Sequence, residues 1–222
     1  MPKTPLFFRK AVAAARWRTK RFRQLRDNAK AFGSMDEDEN HCKPTGPKMV
    51  KYGKLFLTTF PETALKGKKR TSFIVSAVPA QYESPVSIAL IATNKKGLPE
   101  NLLKHFVVAE VRLSFEKKAV IIFPQGRKGT QPQLDRFHQS TGLPWANFLI
   151  KQIEEHARKT GFRQVKIRTP ESLHYYQTPS VAGRYATLEE AEKIRKRMEN
   201  LFQKVADAMN YKREGEYFIK DL

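Results

Sequence analysis

Residues 139–161 read Gln139-Ser-Thr-Gly-Leu-Pro-Trp-Ala-Asn-Phe-Leu-Ile-Lys-Gln-Ile-Glu-Glu-His-Ala-Arg-Lys-Thr-Gly161, and a short β-branched run, Gln164–Arg168, follows. Leu149, Ile150, Ile153 and Ala157 recur at steps that put them on one side of a helix. Pro144 suits the first helical position, where a missing N–H costs nothing. Gly161 suits the end, where the chain must leave the helix. A buried helix feeding directly into a strand is the signature of a mixed layer of helices on a sheet.

Upstream, Val50–Phe60, Thr71–Val78, Val86–Ala92, His105–Phe115 and Ala119–Phe123 are rich in β-branched and aromatic residues and read as strands. Glu116-Lys117-Lys118 is a short polar connection, so the last two form a hairpin. Alternation puts Val107, Ala109, Val111 and Leu113 on one face of their strand, and Phe106, Val108, Glu110 and Arg112 on the other. Residues 125–142 are polar with little apolar periodicity and read as a loop. Downstream, Thr187 with Glu190 forms a capping box. It opens a helix whose apolar side is Leu188, Ala191, Ile194, Met198, Leu201, Phe202, Val205 and Met209. Tyr211 and Glu216–Leu222 read as a terminal strand. The order of strands, helix, strand, helix, strand predicts an α+β, or mixed α/β, domain over residues 50–222.

Ahead of that domain, residues 1–33 form a basic amphipathic helical arm, and residues 34–49 an acidic linker rich in Pro and Gly. The arm repeats Phe8, Ala11, Ala15, Phe22, Leu25, Ala29 and Phe32 at helical steps. Of the 222 residues, 42 are Lys or Arg and 22 are Asp or Glu, a net charge of +20. Residues 1–32 carry +9 of it, which leaves +11 on the other 190. Such an excess favours polyanionic partners: nucleic acid, RNA in particular, or an acidic or ribonucleoprotein partner. Arg16, Arg18, Arg21 and Arg23 of the arm, Arg127 and Lys128, and the rings of Tyr175 and Tyr176 are the candidate nucleic-acid contacts. Cations neutralise phosphates there and aromatics stack on bases. The same arm could serve as an organelle transit peptide or lie on anionic lipid. The expected location is the cytoplasm, or a mitochondrial or plastid matrix if residues 1–32 are a transit peptide.

Hydrophobic residues at 40% supply enough material for a packed core and argue against a wholly disordered chain. One cysteine, Cys42, excludes an internal disulfide and a Cys-rich zinc module. No metal site is expected, because His41 beside Cys42 has no spaced ligand near it. Gln125-Gly126-Arg127-Lys128-Gly129-Thr130 does not have the G-x-x-x-x-G-K-[ST] spacing of a nucleotide-triphosphate loop.

The 139–161 stretch resembles the core motif of the GNAT N-acetyltransferase superfamily, in which a Q/R-x-x-G-x-G/A loop opens a helix that carries a double aliphatic and ends in Ala-x-x-x-Gly before a strand. Residues 206–222 resemble the end of that family, where a helix runs through a turn into a final strand. The resemblance covers residues 104–222. It implies a GNAT-like, mostly antiparallel central sheet flanked by helices, with the basic helix preceding it. It implies acetyl-coenzyme A as cofactor and acyl transfer to an amine as activity. Gln139, Gly142, Leu143 and Trp145 would then be the cofactor cradle, since helix-start amides and the helix dipole hold a pyrophosphate. Glu110, mid-strand and opposite a buried face, is the candidate catalytic base, and the plainer reading of it is a solvated strand charge paired with Arg112 or a neighbouring strand. The chain departs from the family pattern in three places. Pro144 stands where the loop has Gly or Ala, the connection through residues 125–138 is long, and Ala206 falls where many members carry an acid-donating Tyr. Tyr175 and Tyr176 are the nearby phenols. The same residues also admit a second reading: a GNAT-like domain without catalysis that binds RNA or a ribonucleoprotein.

Overall fold

The computed structural model describes residues 47–66, 71–79, 84, 86–94, 107–127, 129–172 and 188–222. The basic arm, most of the linker, Lys128, Tyr175, Tyr176 and the Thr187 cap lie outside these residues. Helix α1 spans Pro47–Thr59. Strands β1 (Thr63–Lys66), β2 (Thr71–Pro79), β3 (Val86–Asn94), β4 (Val107–Phe115) and β5 (Ala119–Gly126) follow. Helices α2 (Gln131–Thr141) and α3 (Trp145–Lys159) lead to β6 (Gln164–Arg168) and a 3-10 turn. Helix α4 (Leu188–Ala208) and the hairpin β7 (Lys212–Glu214) and β8 (Tyr217–Asp221) complete the chain.

The strands form one eight-stranded sheet in the order β1-β2-β3-β4-β5-β6-β8-β7. β1 to β5 are an antiparallel meander, and α2 with α3 cross over so that β6 joins β5 in parallel. β8 then inserts between β6 and β7, antiparallel to both. The α+β class expected from the alternation of patterns is the one observed. Alternation also built the core. Phe73 and Val75 of β2, Ile88 and Leu90 of β3, Val111 and Leu113 of β4, Ile122 of β5 and Ile167 of β6 share one buried face. Leu149, Ile150, Ile153 and Ala157 of α3 pack against it, as expected.

Residues 50–59 are helix rather than the expected strand, and Phe60 follows its end. Tyr52, Phe56 and Phe60 are spaced by four, which suits a helix that aims all three rings inward. Phe56 meets Phe115 at 5.1 Å and Phe162 at 5.9 Å between ring centroids, and Tyr52 meets Phe162 at 5.1 Å. Burying the Phe56 ring contributes about 1.5–3 kcal/mol, enough to outweigh the β preference of the individual residues. The Thr59 hydroxyl, which favoured a strand in the sequence, is bonded to the Leu55 carbonyl at 2.8 Å.

Residues 131–141 are a second correction, a helix where a loop was expected. Its only fully inward side chains, Leu134 and Phe137, are three apart, too sparse a stripe to stand out. Phe137 packs edge-on against Phe73 at 5.3 Å and Phe148 at 5.3 Å. The C-terminal segment is a hairpin rather than one strand, entered through Asn210 and turned at Gly215, both at φ 59. Tyr211, buried below the hairpin, donates to Glu154 Oε1 of α3 at 2.7 Å, and Lys220 Nζ reaches Glu154 Oε2 at 2.9 Å. This pair of bonds fastens the terminal hairpin to α3.

Strand β4 departs from strict alternation. Leu90 faces Ala109 while Ile91 faces Val107, so Val108 is an extra, bulged residue. Val108 therefore joins the main core, and Val107 joins a small cluster on the other face with Val78, Ala89 and Ile91. The expected faces of these two valines are exchanged, whereas Glu110 and Arg112 keep theirs.

Candidate functional site

The connection from β5 to α3 builds the site. One step beyond the Ala109–Gly126 pair, in the same β4–β5 register, the Val108 carbonyl accepts from the Arg127 N–H at 3.2 Å and the Thr130 hydroxyl at 2.8 Å. This holds the start of α2 against β4. α2 ends at Gly142, which adopts φ 73 and returns its N–H to the His138 carbonyl at 2.8 Å. Glycine suits that left-handed position because it has no Cβ to collide with the backbone.

Three residues later α3 begins. Pro144 is its N-cap, at φ −55 and ψ 141, rather than its first helical residue. Its carbonyl accepts the Phe148 N–H at 3.0 Å, the first bond of the helix. The N–H groups of Trp145, Ala146 and Asn147 therefore precede the ladder, and no side chain caps them. No acid occupies the first turn. The start of this 15-residue helix thus carries three backbone donors outside its ladder, on half-buried Trp145 and Asn147 and buried Ala146, together with the positive pole of its dipole. That donor set fits a diphosphate.

The four expected cradle residues divide into two pairs. Gln139 lies inside α2 and is exposed, and Gly142 spends its N–H on closing α2. Leu143, 39% exposed, and Trp145 stand at the mouth of α3. The Trp145 indole lies over Gly126, where an added Cβ would sit 3.7 Å from Cζ2. The pairing of β5 with β6 ends at Ile122 and Ile167, and β5 continues for Phe123–Gly126 beyond it. The start of α3 is therefore placed beside the overhanging end of β5.

On the opposite face of the same strands lies Glu110, paired across the ladder with Gln125. It is buried rather than solvated. Ser87 donates to Oε2 at 2.6 Å, while Arg112 Nη2 and Arg127 Nη2 stand 3.4 and 3.7 Å from Oε1. Arg127, expected as a phosphate contact, is thus engaged with a carboxylate. Arg112 Nε and Gln125 Oε1 are buried on this face without a hydrogen-bond partner among the described residues. Such atoms cost about 1–3 kcal/mol each when unmet. Ala206, where the resemblance would place an acid-donating Tyr, is buried in α4 and has no proton to give.

Sequence reasoning passed over Ser87, Ala146 and Asn147. Ser87 left a trace, as the single hydroxyl in the apolar run Val86–Ala92. The other two act through backbone N–H groups, which any side chain would have supplied. Among the described residues no group of acidic, His or Cys side chains could hold a metal ion. No helix of the described residues is long and apolar enough to cross a membrane. No protein-family model, curated protein or solved structure matches the chain, so the geometry itself carries the functional reading.

Proposed function

We propose that the protein is an acyl-coenzyme A-dependent N-acyltransferase of the GNAT type, whose basic domain serves an acidic or nucleic-acid-associated acceptor. The observation that carries this reading is the uncapped N-terminus of α3, with three free N–H groups beside the overhanging end of β5. The order of elements supports it. α3 carries its double aliphatic inward and closes at Gly161 before β6, and α4 runs through a tight turn into the terminal strands.

Bound coenzyme A would supply an acyl carbon activated as a thioester. The N–H groups of Trp145, Ala146 and Asn147 would bind its diphosphate, helped by the helix dipole. Pro144 removes none of these donors, because it precedes all three. The Trp145 ring over Gly126 would exclude water from that end of β5. An amine approaching on the other face would meet Arg112 Nε and Gln125 Oε1, two buried polar atoms that need partners. Glu110 would receive the proton that the amine nitrogen sheds as its bond to the acyl carbon forms, while the carbon–sulfur bond breaks and coenzyme A leaves as a thiolate that takes a proton from water. The charge of +11 outside residues 1–32 supports an acidic acceptor or one carried on nucleic acid.

The test is calorimetric titration of acetyl-coenzyme A into protein stripped of nucleic acid. One-site binding in the micromolar range, with coenzyme A competing, is the expected result. No heat up to about 1 mM, weaker than roughly −4 kcal/mol, overturns the enzyme and leaves a non-catalytic, nucleic-acid-binding domain.

A further inference from the structure

The far end of α3 has a different character. The turn between β4 and β5 bears Lys117 and Lys118, and its Lys118 carbonyl accepts the N–H groups of Arg163 at 2.8 Å and Gln164 at 3.2 Å. That pins the turn to the loop leaving α3, where Arg158, Lys159 and Arg163 are exposed. α1 reaches the same place through Tyr52, whose ring lies 5.1 Å from Phe162 and 6.1 Å from Phe115, bringing exposed Lys51 alongside.

Six exposed cations are therefore carried by neighbouring segments around the rings of Tyr52, Phe115 and Phe162. None of the six is in an ion pair among the described residues. Arg158 and Lys159 sit in the last turn of α3, where they also complement its dipole. The other four have no such role. Glu116, the acid in the turn, is drawn to Lys166 at 2.7 Å, and Glu155 stands one turn back on α3.

We propose that this surface, Lys51, Lys117, Lys118, Arg158, Lys159 and Arg163, docks the phosphate backbone of a nucleic acid. It rests on the basic-partner half of the reading above and not on coenzyme A, whose site lies about 20 Å away at the other end of α3. A lipid surface fits less well. Interfacial binding needs apolar side chains beside the cations. The exposed large hydrophobic side chain among the described residues, Leu143, is at the opposite end of α3.

The test is fluorescence anisotropy of the full chain with a labelled single-stranded RNA of about 20 nucleotides, long enough for an ordinary binding site, measured over a series of salt concentrations. Lys117→Gln, Lys118→Gln, Arg158→Gln and Arg163→Gln together should weaken binding at least tenfold at about 0.1 M salt. They should lower the slope of log K against log salt by about 2–3, or roughly 0.7 per lost contact. A control removes the same charge from exposed cations of α4, by Lys193→Gln, Lys196→Gln, Arg197→Gln and Lys204→Gln, and should leave the slope nearly unchanged. The Lys117→Gln, Lys118→Gln pair alone, confined to an exposed turn, gives about half the effect and guards against misfolding of the larger set. Equal losses in the patch and control variants, or none in the patch variants, overturn the surface while RNA binding itself still stands. Binding to phosphatidylserine vesicles that depends on the patch, with RNA binding that does not, assigns the surface to a membrane and overturns the proposal. Lost acetyl-coenzyme A binding with an intact patch effect would sink only the transferase.

Discussion

Replacing Pro144 by Asp sets the stability of α3 against its ability to hold an anion. Pro144 is exposed and already has the extended backbone of an N-cap, so Asp fits without rearrangement. Its carboxylate would accept from the N–H of Ala146 or Asn147, a cap worth about 1 kcal/mol. Its charge at the positive pole of the helix adds about 0.5 kcal/mol. Loss of the proline ring frees the unfolded chain and costs about 0.4–1 kcal/mol. The net gain is about 0.5–1 kcal/mol, which raises Tm by about 1–4 °C for a chain of this size. The same carboxylate occupies the donors a diphosphate needs. A like charge at about 4 Å costs up to about 4 kcal/mol near a protein surface. Screening at an exposed site reduces that, but acetyl-coenzyme A should still bind at least tenfold more weakly. Thermal melts and calorimetry on wild type, Pro144→Asp and Pro144→Ala decide the matter. Pro144→Ala should keep its affinity within about twofold, because it adds no charge. A Pro144→Asp protein that is stabilised yet binds with wild-type affinity would refute α3 as the cradle.

Three further outcomes follow from the side chains. Glu110→Gln should leave acetyl-coenzyme A binding intact and slow acyl transfer about 100-fold or more; the lost charge beside Arg112 should also lower stability by about 1–3 kcal/mol in urea melts. His156, buried and bonded to Thr59 Oγ1 at 3.0 Å, titrates below its ordinary value, first from burial and then from the Lys159 charge. The unfolded chain therefore takes up a proton that the folded one refuses, so stability should fall as pH drops below about 6.5 and level off beneath the folded pKa. His156→Gln should flatten that part of the stability profile, and an unchanged profile would move the effect elsewhere. Tyr211→Phe removes the 2.7 Å bond to Glu154 and should cost about 1–2 kcal/mol, read as a Tm lower by several degrees. Burial, the Glu154 charge and that bond all push the Tyr211 phenol well above its ordinary value, so it should stay protonated through alkaline titration.

Runs of β-branched and aromatic residues located β2, β3, β4, β5 and β6, because such side chains fill a sheet that is buried along most of its length, as in β3, where Val86 to Ile91 are all buried. The α3 stripe was equally legible, since four aliphatic residues there face the sheet. The reading failed where a stripe was carried by few residues. α1 buries aromatic rings spaced by four, and the same residues favour strands one by one. α2 buries only Leu134 and Phe137 in a polar setting. In both helices the deciding contacts are rings from elsewhere in the chain, such as Phe115 and Phe162 for α1 and Phe73 for α2. Local sequence does not contain them.

The candidate site was harder to read for a related reason. Periodicity assigns faces as long as the register is regular, whereas each part of this site sits where the register breaks. The bulge at Val108 against β3 exchanges two valines, and the carbonyl of the same residue accepts from Thr130. Gly142 closes one helix, so its N–H is spent, and Pro144 opens the next from one residue further out than expected. Moving that boundary by a single residue changes which N–H groups are free. With Pro144 inside the helix a donor is missing, and with Pro144 as cap three consecutive donors remain. The chemical capacity of the α3 terminus therefore depends on the one feature of a helix that its apolar pattern specifies least, where it begins. Pro144→Asp tests that feature directly, since the new carboxylate can cap the helix only if the free donors lie where the cap geometry puts them.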